Sequence, residues 1–168
     1  MFSQIIKFIR VLSSEVAPIQ ISLGFALAMI VGLTPLFSLH NLLVIFVLLL
    51  FRINLAAFLL AWAVFSGIAY LLDPLFHDLG KLILHHESLN ALWTEMYNQP
   101  VWRIARFNNT IVMGSLEASL LAFIPFVLIS NLLVKHYRSD VLTYVENSRL
   151  FKTLKSSKLL SRAVSLAE

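Results

Sequence analysis

Glu117 is the one acid inside the apolar run from Thr110 to Val134 of this 168-residue chain. Lying about seven residues in, it would sit roughly 10 Å below one end of a helix. A carboxyl at that depth either handles a proton or a cation, or completes a hydrogen bond, or snorkels towards the interface. Arg52 and Asn54 form a second polar pair, at the junction of two apolar runs. Arg52 reads as a topology anchor, or as a bidentate partner for a lipid phosphate if the preceding segment re-enters the membrane. A third group, Ser38, His40 and Asn41, follows Pro35. A turn histidine is most often a surface group, and it gains interest only where non-helical backbone is buried at depth.

His85-His86-Glu87, with His77 and Asp78 one or two turns earlier, invites a metal reading. Adjacent histidines project to different helix faces and the spacing is not that of the two-His zinc helix, so no metal is expected. Phosphate loops, dinucleotide turns and nucleophile elbows are absent from the sequence, and five glycines with no cysteine leave little material for a cofactor cradle or thiolate chemistry. The reading is therefore of a non-enzyme without cofactor.

The elements that would position these groups follow from composition. With 59% hydrophobic and 13% charged residues, and a mean hydropathy of +0.84, the chain departs from the roughly 45–50% and 25% of soluble domains. An all-α, polytopic membrane helical bundle is expected. Between Glu15 and Arg52 lie 36 residues without Asp, Glu, Lys or Arg. As one helix they would measure roughly 54 Å against a hydrocarbon core of about 30 Å. The run must fold back, and Pro35 within Thr34-Pro35-Leu36-Phe37-Ser38 marks the break.

The expected spans are residues 18–33, 41–51, 54–72 and 110–134 within one membrane domain, 18–134. The second is short enough to be either a crossing or half of a re-entrant hairpin. Residues 1–17 read as a cytoplasmic interfacial amphipathic helix, with Phe2, Ile5, Ile6, Ile9, Leu12 and Val16 on one face. Residues 73–109 read as an outer interfacial helical loop: Asp73-Pro74 as a helix start, Ser88 as a cap, and Trp93, Tyr97 and Trp102 as aromatic belt residues. The tail, 135–168, holds seven of the thirteen Lys and Arg residues, and Lys7 and Arg10 lie near the other end. The positive-inside rule then puts both termini in the cytoplasm. The basic tail beside a span reads as attracted to anionic lipid rather than to nucleic acid.

Gly24, Ala28 and Gly32, then Ala63 and Gly67, then Ser115 and Ser119, each repeat at four-residue spacing. Such stripes let helices approach closely in lipid, and self-association could use the same surfaces.

Several strings together resemble a known family. Gly24-x7-Gly32-Leu33-Thr34-Pro35-Leu36, His40-Asn41, Arg52-Ile53-Asn54-Leu55-Ala56-Ala57, Trp62 and Leu72-Asp73-Pro74-Leu75-Phe76-His77 are similar to the bacterial membrane family called domain of unknown function 2062. Arg106-Phe107-Asn108-Asn109-Thr110-Ile111-Val112-Met113-Gly114-Ser115 resembles one of its subgroups. The likeness covers roughly residues 15–138. Where the broader family often reads Asn-Pro followed by a hydroxyl residue, Ser66-Gly67 and Asp73-Pro74 stand here. The resemblance implies a multi-pass inner-membrane protein, often encoded beside a larger envelope protein, and it carries over no catalytic residue. The expectation is a membrane subunit or partner of an envelope-assembly or lipid-handling complex, in contact with membrane lipids. The alternative is a small carrier or channel that uses Glu117 and the Pro35 hairpin.

Overall fold

A computed structural model describes residues 16–51 and 53–141. The expected amphipathic helix at the N-terminus, Arg52 and most of the basic tail lie outside the described residues. The elements, all helical among the described residues, are α1 (Pro18–Leu33), α2 (Leu39–Leu50), α3 (Leu55–Leu84), a 3₁₀ turn (Glu87–Leu89), α4 (Asn90–Asn98), α5 (Pro100–Ile104), α6 (Thr110–His136) and a closing π turn (Tyr137–Val141).

α1 begins with proline at its first position, where the missing N–H costs nothing, and is the most enclosed helix. Ile21, Ala26, Ala28 and Val31 are buried on different faces of it. Its partners are fixed by glycine. A Cβ on Gly24 would come within 2.9 Å of the Asn54 carbonyl oxygen, and one on Gly32 within 2.6 Å of the Phe65 Cβ. Residues 24 and 32 thus meet residues 54–58 and 62–66, so α1 and α3 run parallel. α2 returns the chain between them, and packs on α1 through Val44 and Leu48.

α6 runs antiparallel to both. Val134 packs with Ile21 and Ala57 at one end, and Ile111 with Leu33 and Phe76 at the other. Between them Phe65 meets Phe126 edge-on at 5.6 Å. Ser115 and Ser119 are fully buried on α6, each hydroxyl donating to a carbonyl of its own helix, Ile111 at 2.6 Å and Leu116 at 2.9 Å. Their small size and satisfied polarity are what a close helix contact in lipid demands.

Two helical segments, Leu55–Leu84 and Thr110–Ser139, are long and apolar enough to cross a membrane. α1, with 16 residues, is about 24 Å long and α2, with 12, about 18 Å, each short of a 30 Å core on its own.

Three expectations are corrected. Asp73-Pro74 does not start a helix: α3 continues through Pro74 to Leu84. Pro74 forfeits the bond to the Tyr70 carbonyl, but packing keeps the extension helical, because Gly80 lies against the Thr110 backbone and Gly114 against that of Phe76. Ser88 is no cap either: its hydroxyl pairs with His86 Nδ1 at 2.8 Å, and α4 starts without a side-chain cap. Ala63 and Gly67 lie exposed on the outward face of α3, and no described atom comes within 4 Å of a Cβ built on Gly67. The contact face of α3 is Ala57, Phe58, Ala61 and Phe65, half a helical turn away from that pair.

Candidate functional site

Among the described residues, three buried polar side chains, Thr34, Ser38 and Asn41, gather at the turn between α1 and α2. Thr34, extended in its backbone, ends α1, and its amide donates to the Ile30 carbonyl. The Thr34 hydroxyl lies 2.8 Å from the same carbonyl and 3.0 Å from Asn41 Oδ1, so its single proton is shared between two acceptors. Asn41, at 2% exposure, donates through Nδ2 to the carbonyls of Pro35 at 3.0 Å and Leu36 at 3.2 Å. Ser38 donates to Pro35 at 2.6 Å. Proline breaks the helix, and the three side chains supply donors to the carbonyls of Ile30, Pro35 and Leu36 around the break.

Beside this turn a cleft of about 450 Å³ opens between the end of α1 and the middle of α3. Trp62, Ser66, Tyr70 and Asp73 line it from one stripe of α3, with Thr34 from α1 and Asn109 from the loop before α6. Asn109 itself caps α6, its Oδ1 accepting from the amides of Ile111 at 3.0 Å and Val112 at 3.1 Å. Arg106, with φ of 54°, turns the chain into this cap. Asp73, half-buried, makes no hydrogen bond or ion pair with a described residue.

His40 stands at the start of α2, on the other side of the turn. It lines an apolar pocket of about 250 Å³ with Leu43, Trp102, Phe107, Met113 and Leu116, and its Nε2 is enclosed without a partner among the described residues. Pro35 lines the first cleft, not this pocket.

Glu117 lies apart from both. It is half-buried on the α6 stripe that continues through Leu121, Ile124 and Leu128, all exposed, and it makes no hydrogen bond or ion pair with a described residue. The structure therefore does not bring Glu117 and Pro35 to one place. Asn54 acts locally, its Oδ1 capping α3 by accepting from the Ala57 amide at 2.8 Å, while its own amide reaches the Gln20 carbonyl at 3.4 Å. The histidines of the outer segment are spread out. His77 bonds Thr110 at 2.7 Å, His85 the Lys81 carbonyl at 2.9 Å, and His86 Ser88. Among the described residues no three metal-ligating side chains gather.

Of the aromatic belt residues, Trp93 is tucked in, its indole N–H donating to Ile83 and its ring lying 6.0 Å from Phe107. Tyr97 and Trp102 are exposed. Two features escape sequence reasoning. Among the described residues Gly80 and Gly114 make the closest helix contact, although local signals place Gly80 in a separate outer interfacial helix. The cap signal of Asp73-Pro74 hides the place of Asp73 on one stripe with Trp62, Ser66 and Tyr70. Spacing of four, four and three reveals that stripe once the helix is extended through Pro74.

The profile of a bacterial family described as "Uncharacterized protein conserved in bacteria (DUF2062)" matches residues 6–141. An uncharacterized protein of Treponema pallidum (strain Nichols) is 25% identical over 162 residues, which cover 96% of this chain and all of that protein. No solved structure matches.

Proposed function

The chain belongs to the DUF2062 family of bacterial proteins, and from that premise we propose that it is a non-enzymatic, multi-pass protein of the bacterial inner membrane, serving as the membrane subunit of a larger envelope-assembly or lipid-handling complex. The observation that carries the reading is the distribution of apolar surface. A core helix of a soluble protein is mostly enclosed, whereas only 17% and 28% of the apolar windows of α3 and α6 are buried. Val64, Leu71, Leu121, Ile124 and Leu132 face outward on them. In water that surface would far exceed the few hundred Å² that soluble monomers expose; in lipid it needs no cover.

α2 extends the same apolar surface. Its Asn41, Val44 and Leu48 are buried, while Leu42, Leu43, Phe46, Leu49 and Leu50 are exposed. On this reading α1 and α2 form a hairpin whose tip reaches the level of Asp73 on α3, about 18 residues or roughly 27 Å from Leu55. That depth puts the polar turn near the outer surface. Both termini are cytoplasmic, by the positive-inside count of the sequence.

Purification of the tagged full chain in gentle detergent, followed by mass spectrometry, tests the subunit reading. One larger envelope protein in near-stoichiometric amount is the expected result. Recovery of the chain with lipid alone would contradict it. The carrier alternative draws no support from the geometry, since Glu117 lines neither cleft beside the Pro35 turn.

A further inference from the structure

The cleft between the end of α1 and the middle of α3 has a chemistry that the subunit reading does not use. We propose that it binds an alkylammonium group, of the kind carried by an ethanolamine lipid headgroup or by free ethanolamine. The inference deepens the membrane reading and rests on it.

Three features converge. The first is the stranded end of α1. Pro35 has no N–H to give the Val31 carbonyl, and no described donor reaches the carbonyls of Val31, Gly32 or Leu33. These oxygens form the negative pole of the helix and they border the cleft. The second is the Asp73 carboxylate in the same wall, with no hydrogen bond or ion pair to a described residue. Among the described residues no Lys, Arg or His lines the cleft, so none of them supplies a counter-cation. The third is the Tyr70 ring, one turn before Asp73 on that α3 stripe. A carboxylate beside an aromatic ring suits an ammonium bearing carbon substituents, because the ring attracts the cation and also contacts its methylenes.

Size and place agree. About 450 Å³ is ample for an ethanolammonium headgroup and falls within the range of small-molecule sites. Asp73 lies where α3 would leave the hydrocarbon core, at the depth of lipid headgroups. The start of α6, where free amides could hold an anion, is already capped by Asn109, and among the described residues no Lys, Arg or His lines the cleft. Recognition is therefore of the amine and not of the phosphate.

Native mass spectrometry of the full chain in detergent tests this, with phosphatidylethanolamine, phosphatidylglycerol and free ethanolamine added in separate arms. The expected result is preferential retention of an amine-bearing species, lowered about fivefold or more by Asp73→Asn, with phosphatidylglycerol adducts unchanged. Tyr70→Leu, at an exposed position, should also weaken it and guards against a folding defect in the first variant. Retention of phosphatidylethanolamine alone identifies the lipid headgroup as the source; Asp73-dependent binding of ethanolamine alone identifies the free amine. Equal retention of the two lipids with no binding of ethanolamine, or amine binding indifferent to Asp73→Asn, overturns the proposal. Failure of the membrane reading would be seen separately, as release of the chain from membranes by alkaline carbonate.

Discussion

Gly114→Ala and Gly67→Ala should shift stability in opposite directions. Both glycines lie inside long helices, where alanine gains roughly 1 kcal/mol over glycine by propensity. At Gly67 no described atom lies within 4 Å of the new methyl, so that gain stands. At Gly114 the methyl would overlap the Phe76 carbonyl oxygen and come 2.8 Å from the Phe76 carbonyl carbon and the Gly80 amide nitrogen. All three atoms are backbone, so relief requires α3 and α6 to move apart by more than half an ångström. Overpacking of this kind costs about 1–3 kcal/mol, and rigid backbone puts this case at the upper end. Net of propensity, Gly114→Ala loses about 2 kcal/mol. For a chain of this size that is roughly 4–8 °C in unfolding midpoint, against a rise of about 2–4 °C for Gly67→Ala. Thermal unfolding of the detergent-solubilised protein, followed by the loss of monodisperse protein on gel filtration, measures both. Equal shifts, or stabilisation by Gly114→Ala, would mean that α3 and α6 do not touch at Phe76 and Gly80.

Three further outcomes rest on the same geometry. Asn41→Leu removes a donor from the Pro35 and Leu36 carbonyls, and should cost about 1–2 kcal/mol in the same thermal assay, because the Leu36 carbonyl loses its partner while the Pro35 carbonyl keeps the Ser38 hydroxyl. Asn54→Ala removes the α3 cap and should cost about 1 kcal/mol. Glu117→Gln should fold with normal yield and complement the envelope-stress phenotype of a strain lacking the protein. A stable but inactive Gln variant would favour proton or cation handling at Glu117, since an amide neither titrates nor carries charge.

The apolar frame of the fold is legible in the sequence because each break has a local cause. Pro18 and Pro35 bound α1, and α6 starts at Thr110, where the apolar run begins, with Asn109 as its cap. The α3 extension is not legible, because Asp73-Pro74 carries a strong local start signal that is overridden by packing of Gly80 and Gly114 from distant parts of the chain. Periodicity likewise finds Gly24, Ala28 and Gly32 on a buried stripe, but cannot tell that the equally regular Ala63 and Gly67 face outward. Spacing identifies a stripe; only the partner helix says whether it is covered. The polar residues of the turn cluster visibly in the sequence, but the pairing of Asn41 with Thr34 and Pro35 depends on the angle at which α2 returns. Asp73 gains meaning only from its neighbours across the cleft.

Single-cysteine labelling tests the membrane topology most directly, and the absence of native cysteine makes the background clean. Cysteine replaces Ser88, beyond the end of α3, or Ser139, after the end of α6, and intact cells are treated with a membrane-impermeant maleimide. The predicted result is labelling at Ser88 in intact cells and at Ser139 only after the membrane is opened. Labelling of Ser139 in intact cells, or equal labelling of both positions, would contradict it.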